Sequence, residues 1–504
     1  MRTWIRNGLV VSLDGEDHIY EGYDILVEDE QIVQIARDIP FVPSDGDRVI
    51  DASNKLVMPG LVNAHFHSYD GFMKGLWEDL PLEVWFPYAN LGARRPLTQR
   101  EIYVRTVLVA TEMLRTGTTS AYDVCTLLPF DHQSVDTLMS AYRDSGIRAF
   151  VCSQVVNKPR TETMPYLDEM MPPEVREMAN GDPPPPAEEL LERLRWMIEK
   201  WHGVDGHLHV ALAPSAPQRC TDEFLLSLDH LSQEKGLPMN LHIQETRVQA
   251  VTGPVLYGKS IVEHVADIGL LSPRLAIIHG VWLSDRDIEL IAAGGTSVVH
   301  NPISNLRLKS GIAPIRDLLR AGVNVALGND NNCANDAQNL FQAMKFAALL
   351  PEVEGPDYGG WKPAREALRM ATAGGAKALL MEDAIGSIEA GKRADLVLLN
   401  LDTQAFTPLN DPVHQLVYCE TGSSVDTVLV NGNVVIENGA FVNLDEEALL
   451  QEAKEIGESL QEEHQKAAQW ADELRPFLER MYWRCLEQDA GINRYTRPPK
   501  QREV

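Results

Sequence analysis

The chain has 504 residues, with 45 Lys+Arg against 73 Asp+Glu and a formal net charge of −28 at pH 7. This acidic excess excludes a nucleic-acid binder that works through a basic surface. With 44% hydrophobic and 23% charged residues, and no apolar run of the roughly 18 to 20 residues that a bilayer span needs, the composition is that of a soluble globular chain.

Residues 1–14 mix Arg2, Arg6 and Asn7 with short apolar pairs and lack the continuous apolar core of a secretory signal, so the cytoplasm is the expected address. The six cysteines (Cys125, Cys152, Cys220, Cys333, Cys419 and Cys485) form no Cys-x-x-Cys pair and are expected as free, mostly buried thiols.

Short β-type runs separated by turns fill the first stretch, at 8–13, 23–27 and 31–36. The same texture returns at 394–399, at 425–430 and, after an Asn431-Gly432 turn, at 434–437. The expectation is a small composite β-sandwich domain made of residues 1–57 and 390–445. Between these ends, β-type runs at 56–64, 118–122, 147–154, 208–213, 238–242, 275–279, 296–300 and 323–328 alternate with helical stretches. Eight such units predict an α/β fold, a (β/α)8 TIM-type barrel over residues 58–389. An insertion at about 160–206 breaks the rhythm with an acidic helix over 187–201 behind the proline run 183–186. Leu449, Ala453, Ile456 and Leu460 recur at helical spacing until Pro476 interrupts it. Residues 446–504 therefore read as a C-terminal helical segment and an Arg- and Pro-rich tail, expected as a surface strap or an oligomer contact.

The chemistry concentrates at strand ends. The first barrel run finishes in His65-Phe-His67, and residues two apart on a strand point to the same side, so both imidazoles can face the mouth of the barrel. Later runs end in His242, with Glu245 three residues on, in His279 and in Asp330. Any one of these alone reads as a satisfied polar residue. Together they bring four imidazoles and a carboxylate to one face of one barrel. A second His-x-His pair, His207 and His209, opens its strand instead of closing it and is placed toward the opposite face. His300 also ends a run, but Asn301-Pro302 follows at once, so orienting the loop or the substrate is its expected task.

These motifs resemble the amidohydrolase superfamily. The resemblance rests on Pro59-Gly-Leu-Val-Asn-Ala-His-Phe-His67, His242-x-x-Glu245, His279, the segment from His300-Asn-Pro to Ala-Pro314, and Gly328-Asn-Asp330, and it covers residues 1 to about 440. It is closest to the mononuclear aminohydrolase branch, which holds the S-adenosylhomocysteine, methylthioadenosine and guanine deaminases and the triazine hydrolases. The segments 386–399 and 425–432 are similar to the strands that close the β-sandwich of that family. Asn329-Asp330-Asn331 departs from the Thr-Asp-Gly usual around the metal aspartate and looks like the atrazine chlorohydrolase and melamine deaminase group, which leaves the leaving group open.

The resemblance implies one divalent metal ion per subunit, zinc first and ferrous iron second, held by His65, His67, His242 and Asp330, with His279 either a fifth ligand or a hydrogen-bond donor beside it. The expected reaction is attack by metal-activated hydroxide on an aminated carbon of a purine, pterin or s-triazine ring. Asp330 takes the proton of the water, Glu245 shuttles it to the ring nitrogen and the leaving amine, and His279 holds the tetrahedral centre. Trp77, Trp85, His300, Asn305 and Asn331 are the expected substrate contacts. The alternatives are dechlorination of a triazine, hydrolysis of an aryl amide, urea or carbamate, or a non-catalytic scaffold. A two-metal centre needs a lysine on the fourth strand, where only the more distant Lys158 is near. Gly386 to Lys392 imitates a phosphate loop but is followed by Arg393 and a strand. No basic cluster converges on the mouth in sequence, so the expected partner is a neutral flat heterocycle. Neither nucleic acid nor a membrane is expected, and a homo-oligomer, dimer or larger, is expected by analogy.

Overall fold

The computed structural model describes residues 2–356 and 360–497. Both chain ends enter one nine-stranded sheet. Its N-terminal strands are Arg2–Val11, Ile19–Glu28, Gln31–Ala36, Arg48–Asp51 and Lys55–Pro59, and its C-terminal ones are Leu396–Asn400, Val425–Val430, Asn433–Glu437 and Ala440–Phe441. The two sets join where Leu396–Asn400 runs antiparallel to Lys55–Pro59, with Val397 opposite Met58. Ile5, Ile25, Ile32, Leu396, Leu398 and Leu429 share one buried cluster. Hydrogen bonds between Ile32 and the 391–392 segment, both 2.8 Å, tie the far strand back to the C-terminal half. The Asn431-Gly432 turn is present, with φ of 50° and 77°. A Cβ on Gly432 would lie 1.9 Å from the Asp29 carbonyl oxygen, so this turn admits only glycine.

The run read as one strand over 56–64 is two strands in different sheets. Lys55–Pro59 belongs to the nine-stranded sheet, and Leu61–His67 starts the parallel array. The chain crosses between them at Gly60, where a Cβ would sit 2.0 Å from Thr119 Oγ1. Apolarity runs unbroken through the crossing, so hydropathy does not mark it. The remaining parallel strands are Thr118–Cys125, Arg148–Val155, Leu208–Val210 with Ala213–Pro214, Met239–Ile243, Leu275–His279, Ser297–His300 and Val325–Leu327 with Asp330–Asn331. Together with Leu61–His67 they form a six-stranded and a four-stranded sheet. On one side the two sheets are linked by Leu212 N to Pro238 O (3.0 Å) and Asn240 N to Leu212 O (2.9 Å). On the other, the segment after Val325–Leu327 joins them, with Gly328 N donating to His300 O (3.0 Å) and Asn329 N to His65 O (3.1 Å), before Asp330 and Asn331 pair with Phe66 and His67. Leu61–His67 is buried along its whole length, as expected of a parallel strand covered on both faces. Capping boxes at Thr98/Glu101, Ser260/Glu263 and Ser284/Asp287 start three of the covering helices.

The acidic helix spans Ala187–Trp201 as read. The C-terminal helix corrects the reading, because Gln461–Glu487 continues through Pro476. Losing one helical amide bond to proline costs about 3 kcal/mol. Leu474, Leu478, Met481 and Cys485 are buried against Val84, Met164, Val248 and Val251, and at about 1.5 to 3 kcal/mol for each of the larger side chains that burial outweighs the break. The tail straps the molecule's own loops, with Ile312 N donating to Arg494 O (2.9 Å) and Tyr495 set edge-on to Trp282. Its residues 498–504 lie outside the described ones. All six thiols are free, five of them buried and Cys419 exposed. Among the described residues, no helix is long and apolar enough to cross a membrane.

Candidate metal centre

The strand ends converge. The ring centroids of His65 and His67 are 4.8 Å apart, those of His65 and His242 4.9 Å, and those of His242 and His279 5.6 Å. Asp330 Oδ1 lies 3.3 Å from His67 Nε2 and 3.5 Å from His65 Nε2, and its Oδ2 lies 3.9 Å from His279 Nε2. The ligand atoms of His65, His67 and Asp330 all fall within 4.8 Å of one another, as do those of His65, His242 and His279. His279 and Asp330 adopt left-handed backbone, φ 71° and 62°, which turns their side chains inward off the strand ends. Such non-glycine residues cost about 1 to 3 kcal/mol each and persist where the surroundings enforce them.

Backbone and amide acceptors fix the ring orientations. His67 Nδ1 donates to Val124 O (2.6 Å), His242 Nδ1 to Ser215 O (2.7 Å) and His279 Nδ1 to Asn305 Oδ1 (2.9 Å). Each Nε2 is left as a lone pair facing the centre, the arrangement that metal-bound histidines show. His65 is fully buried, and neither of its nitrogens has a hydrogen-bond partner. A buried imidazole without a protein partner at the convergence point fits the donor set of a cation site. Burial pushes His65 down to about 3 and also lowers His242 and His279, so these rings are neutral, the form that ligates. Burial alone would raise Asp330, but contact with His65 and His67 holds its carboxyl well below the usual range. Burial would likewise lower His67, and Asp330 outweighs it, so His67 is raised. That pull on a proton is the one a bound cation would satisfy.

Two buried carboxylates brace the centre. Asp123 accepts from Ser68 N (2.8 Å), Ser68 Oγ (2.7 Å) and Tyr142 OH (2.7 Å), pinning the turn after His67. Asp70 accepts from Asn332 N (3.1 Å) and Cys333 N (2.9 Å), pinning the loop after Asp330. Glu245 is 3% exposed. Its Oε2 lies 3.6 Å from His279 Nε2 while its Oε1 has no partner. Burial, then Asp330 and Glu83, raise its carboxyl well above the ordinary value, which favours its protonated form.

The cluster faces an inner cavity of about 40 Å³ that includes Trp85, Asn331 and Glu245 in its walls. Tyr69, Phe86, Gln154 and Arg219 also line an adjoining outer chamber of about 290 Å³. Of the expected substrate contacts, Trp85 and Asn331 line the inner cavity, and Asn331 Nδ2 donates to Tyr69 OH (2.9 Å). Asn305 stands behind His279. His300 is buried, with both nitrogens unpartnered and burial pushing it to about 3. Trp77 is placed differently, outside the lining of either cavity. It packs with Met73, Leu82 and Trp85 under the Arg94 guanidinium, because the loop needs an apolar core of its own. His209 stacks on Phe150, and Lys158 lines the outer chamber, so neither joins the ligand groups. Lys392 Nζ donates to Ser387 Oγ (2.7 Å) and Glu382 O (2.7 Å) within its own loop.

A basic group does meet the mouth, contrary to the sequence reading. Arg160 and Arg219 both line the outer chamber, contributed by the loops after Arg148–Val155 and Ala213–Pro214. Sequence inspection missed them because they stand 59 positions apart, and their only signal was location in loops that follow strand ends.

Residues 56–435 match the family described as the amidohydrolase family. The chain is 34% identical to a 5'-deoxyadenosine deaminase of Methanosarcina barkeri over 90% of this chain and 98% of the relative. It is 32% identical to a 5-methylthioadenosine/S-adenosylhomocysteine deaminase of Caldanaerobacter subterraneus over 91% of this chain and 99% of the relative. Among solved structures, a zinc-bound adenosine deaminase from Xanthomonas campestris superposes with a TM-score of 0.78 at 28% identity, covering 94% and 98% of the two chains. A zinc-bound atrazine chlorohydrolase from Arthrobacter aurescens gives 0.82 at 25%, covering 90% and 100%.

Proposed function

The chain belongs to the amidohydrolase family and is a hydrolase acting on carbon–nitrogen bonds, and from that premise we propose that it deaminates a purine-type heterocycle in the cavity over His65, His67, His242 and Asp330. The observation that carries the reading is the convergence of these donors beside the buried Glu245, whose Oε2 lies 3.6 Å from His279 Nε2. The deaminase relatives and the zinc-bound neighbours support it.

In this reading His65, His67, His242 and Asp330 hold one divalent cation, zinc first and ferrous iron second, which when bound supplies a water whose pKa falls from about 15.7 toward 7. His279 lies between Glu245 and Asp330 and orients the substituent at the attacked carbon. Glu245 gives its proton to the ring nitrogen beside the amino-bearing carbon, which makes that carbon electrophilic. Asp330 accepts the proton that the water loses on forming the carbon–oxygen bond, and Glu245 passes it to the amine and takes up the remaining hydroxyl proton as the carbonyl forms, which restores its acid form. The carbon–nitrogen bond then breaks, so that one water is consumed and one ammonia leaves. Trp85 offers a flat wall to the ring, and Asn331 a polar edge.

The scaffold in this proposal is a closed (β/α)8 barrel over 58–389 with an insertion at about 160–206, supported by the links at Leu212 and at Asp330–Asn331. A composite β-sandwich from 1–57 and 390–445 and the C-terminal segment 446–504 complete it. Free thiols support a reducing, cytoplasmic setting. Exposed Phe346, Leu349 and Val353 support self-association.

The test is product analysis on metal-reconstituted protein with 5'-deoxyadenosine, methylthioadenosine, guanine and a chlorotriazine. Ammonia release supports the reading. Chloride release alone would favour dechlorination, the second reading, which the match to atrazine chlorohydrolase supports. A protein that binds no zinc, iron, manganese or cobalt is a scaffold.

A further inference from the structure

We propose that Glu83 is a positioning residue that fastens the helix roofing the inner cavity to the turn bearing Glu245, so that the wall offered to the ring and the acid beside it keep one spacing. What Glu245 does chemically rests on the deamination reading; the tether itself rests on buried contacts.

Glu83 stands in the first turn of the helix Leu82–Ala89, which also carries Trp85. It is buried, and its Oε1 accepts a hydrogen bond from Thr246 Oγ1 while its Oε2 has no partner. Among the described residues, no cation lies within ion-pair distance of this carboxyl, and Arg219 acts on it only from farther off. A buried acid without a counter-ion costs more than an apolar side chain of the same size, so the packing of the helix does not account for it.

Thr246 directly follows Glu245. Its Oγ1 also accepts from Gln249 N (3.3 Å), and Gln249 Oε1 accepts from Glu245 N (3.0 Å), which closes a ring of bonds around the Glu245 turn. On the other side, the Gln244 carbonyl accepts from Val281 N (3.1 Å) and Trp282 N (2.8 Å), and its side chain reaches Val262 N (3.1 Å) and Asp287 Oδ2 (3.2 Å). Residues 244 and 246 are therefore each gripped, with Glu245 between them, and Glu83 supplies the grip that comes from the roof. Leu82, Trp85, Phe86 and Glu245 line the same cavity of about 40 Å³. A misplacement of about 1 Å between reacting groups costs about a hundredfold in rate, so the spacing of roof and acid governs turnover.

Turnover is measured on the zinc-loaded protein with whichever of 5'-deoxyadenosine, methylthioadenosine and guanine releases ammonia fastest. Glu83→Leu is expected to lower kcat by about ten- to a hundredfold, with KM within about threefold and bound metal unchanged. Glu83→Gln keeps an oxygen for Thr246, and Thr246→Ser keeps the hydroxyl, so each should stay within about threefold of the parent. Thr246→Val breaks the same bond, should match Glu83→Leu, and replaces it if that variant does not fold. In the Glu245→Gln background, Glu83→Leu should lower kcat by no more than about twofold, because its effect passes through that acid, whereas a general loosening of the fold would multiply with it. Amide hydrogen exchange reads the tether without turnover, and the Glu245 and Gln249 amides should exchange about tenfold faster or more in Glu83→Leu. Undiminished kcat, unchanged exchange, a full further fall in the Glu245→Gln background, or a Glu83→Gln as slow as Glu83→Leu would each overturn the proposal. If no ring releases ammonia, the deamination reading fails and exchange alone decides: faster exchange supports the tether, and unchanged exchange overturns it.

Discussion

Replacing Glu245 by glutamine isolates proton transfer from metal binding. The two side chains have the same shape, and the hydrogen bond that holds this turn, from the Glu245 backbone N to Gln249 Oε1 (3.0 Å), does not involve the side chain. Burial near Asp330 and Glu83 raises the native carboxyl and favours its protonated form, and its Oε1 has no protein partner, so the group is free to act on a ligand. Glutamine can donate a hydrogen bond there but cannot release a proton. General acid–base catalysis contributes about 10² to 10⁴, or about 3 to 5 kcal/mol of barrier. The expected outcome for Glu245→Gln is therefore a fall in kcat of about a hundredfold or more, with bound metal and the unfolding midpoint preserved. Ammonia release at saturating substrate and elemental analysis of the same sample measure both. Undiminished kcat would remove Glu245 from the reaction, and loss of metal would mean that it ligates.

Gly60→Ala forces a Cβ to within 2.0 Å of Thr119 Oγ1 and 2.6 Å of Thr119 Cβ, and should destabilise the protein by about 1 to 3 kcal/mol in urea unfolding. Asp395→Ala strips the acid from the fully buried Arg148, whose two nitrogens each bond it at 2.9 Å; the expected loss is about 3 to 5 kcal/mol, measured in the same way. His209 is lowered by burial, then by Arg148, to about 3, against an ordinary histidine value of 6.5. The unfolded chain therefore binds this proton first, and stability should fall as pH drops from about 6.5 to about 3, by at most about 1.4 kcal/mol per pH unit and less because the ring is only partly buried. His209→Phe should flatten that part of the stability curve, and an unchanged slope would show that other groups carry it.

The metal-type cluster was legible in the sequence because strand geometry is local. His65 and His67 share a side by the period of two, and His242, His279 and Asp330 each close an apolar run, so their common face followed from the alternation of strands and helices. The acidic helix Ala187–Trp201 and the Asn431-Gly432 turn were likewise fixed by neighbouring residues. What only the tertiary structure decided has long-range causes. The crossing at Gly60 is set by contact with Thr119, and the helix through Pro476 is sustained by packing on Val84 and Val248. Trp77 was taken into the core of its loop, and Arg160 was brought to Arg219 by two loops whose sequences carry no trace of each other. A local pattern states which way a side chain points from its own strand. Which distant side chains it meets depends on how the strands pack, and the charge balance of the outer chamber is settled there.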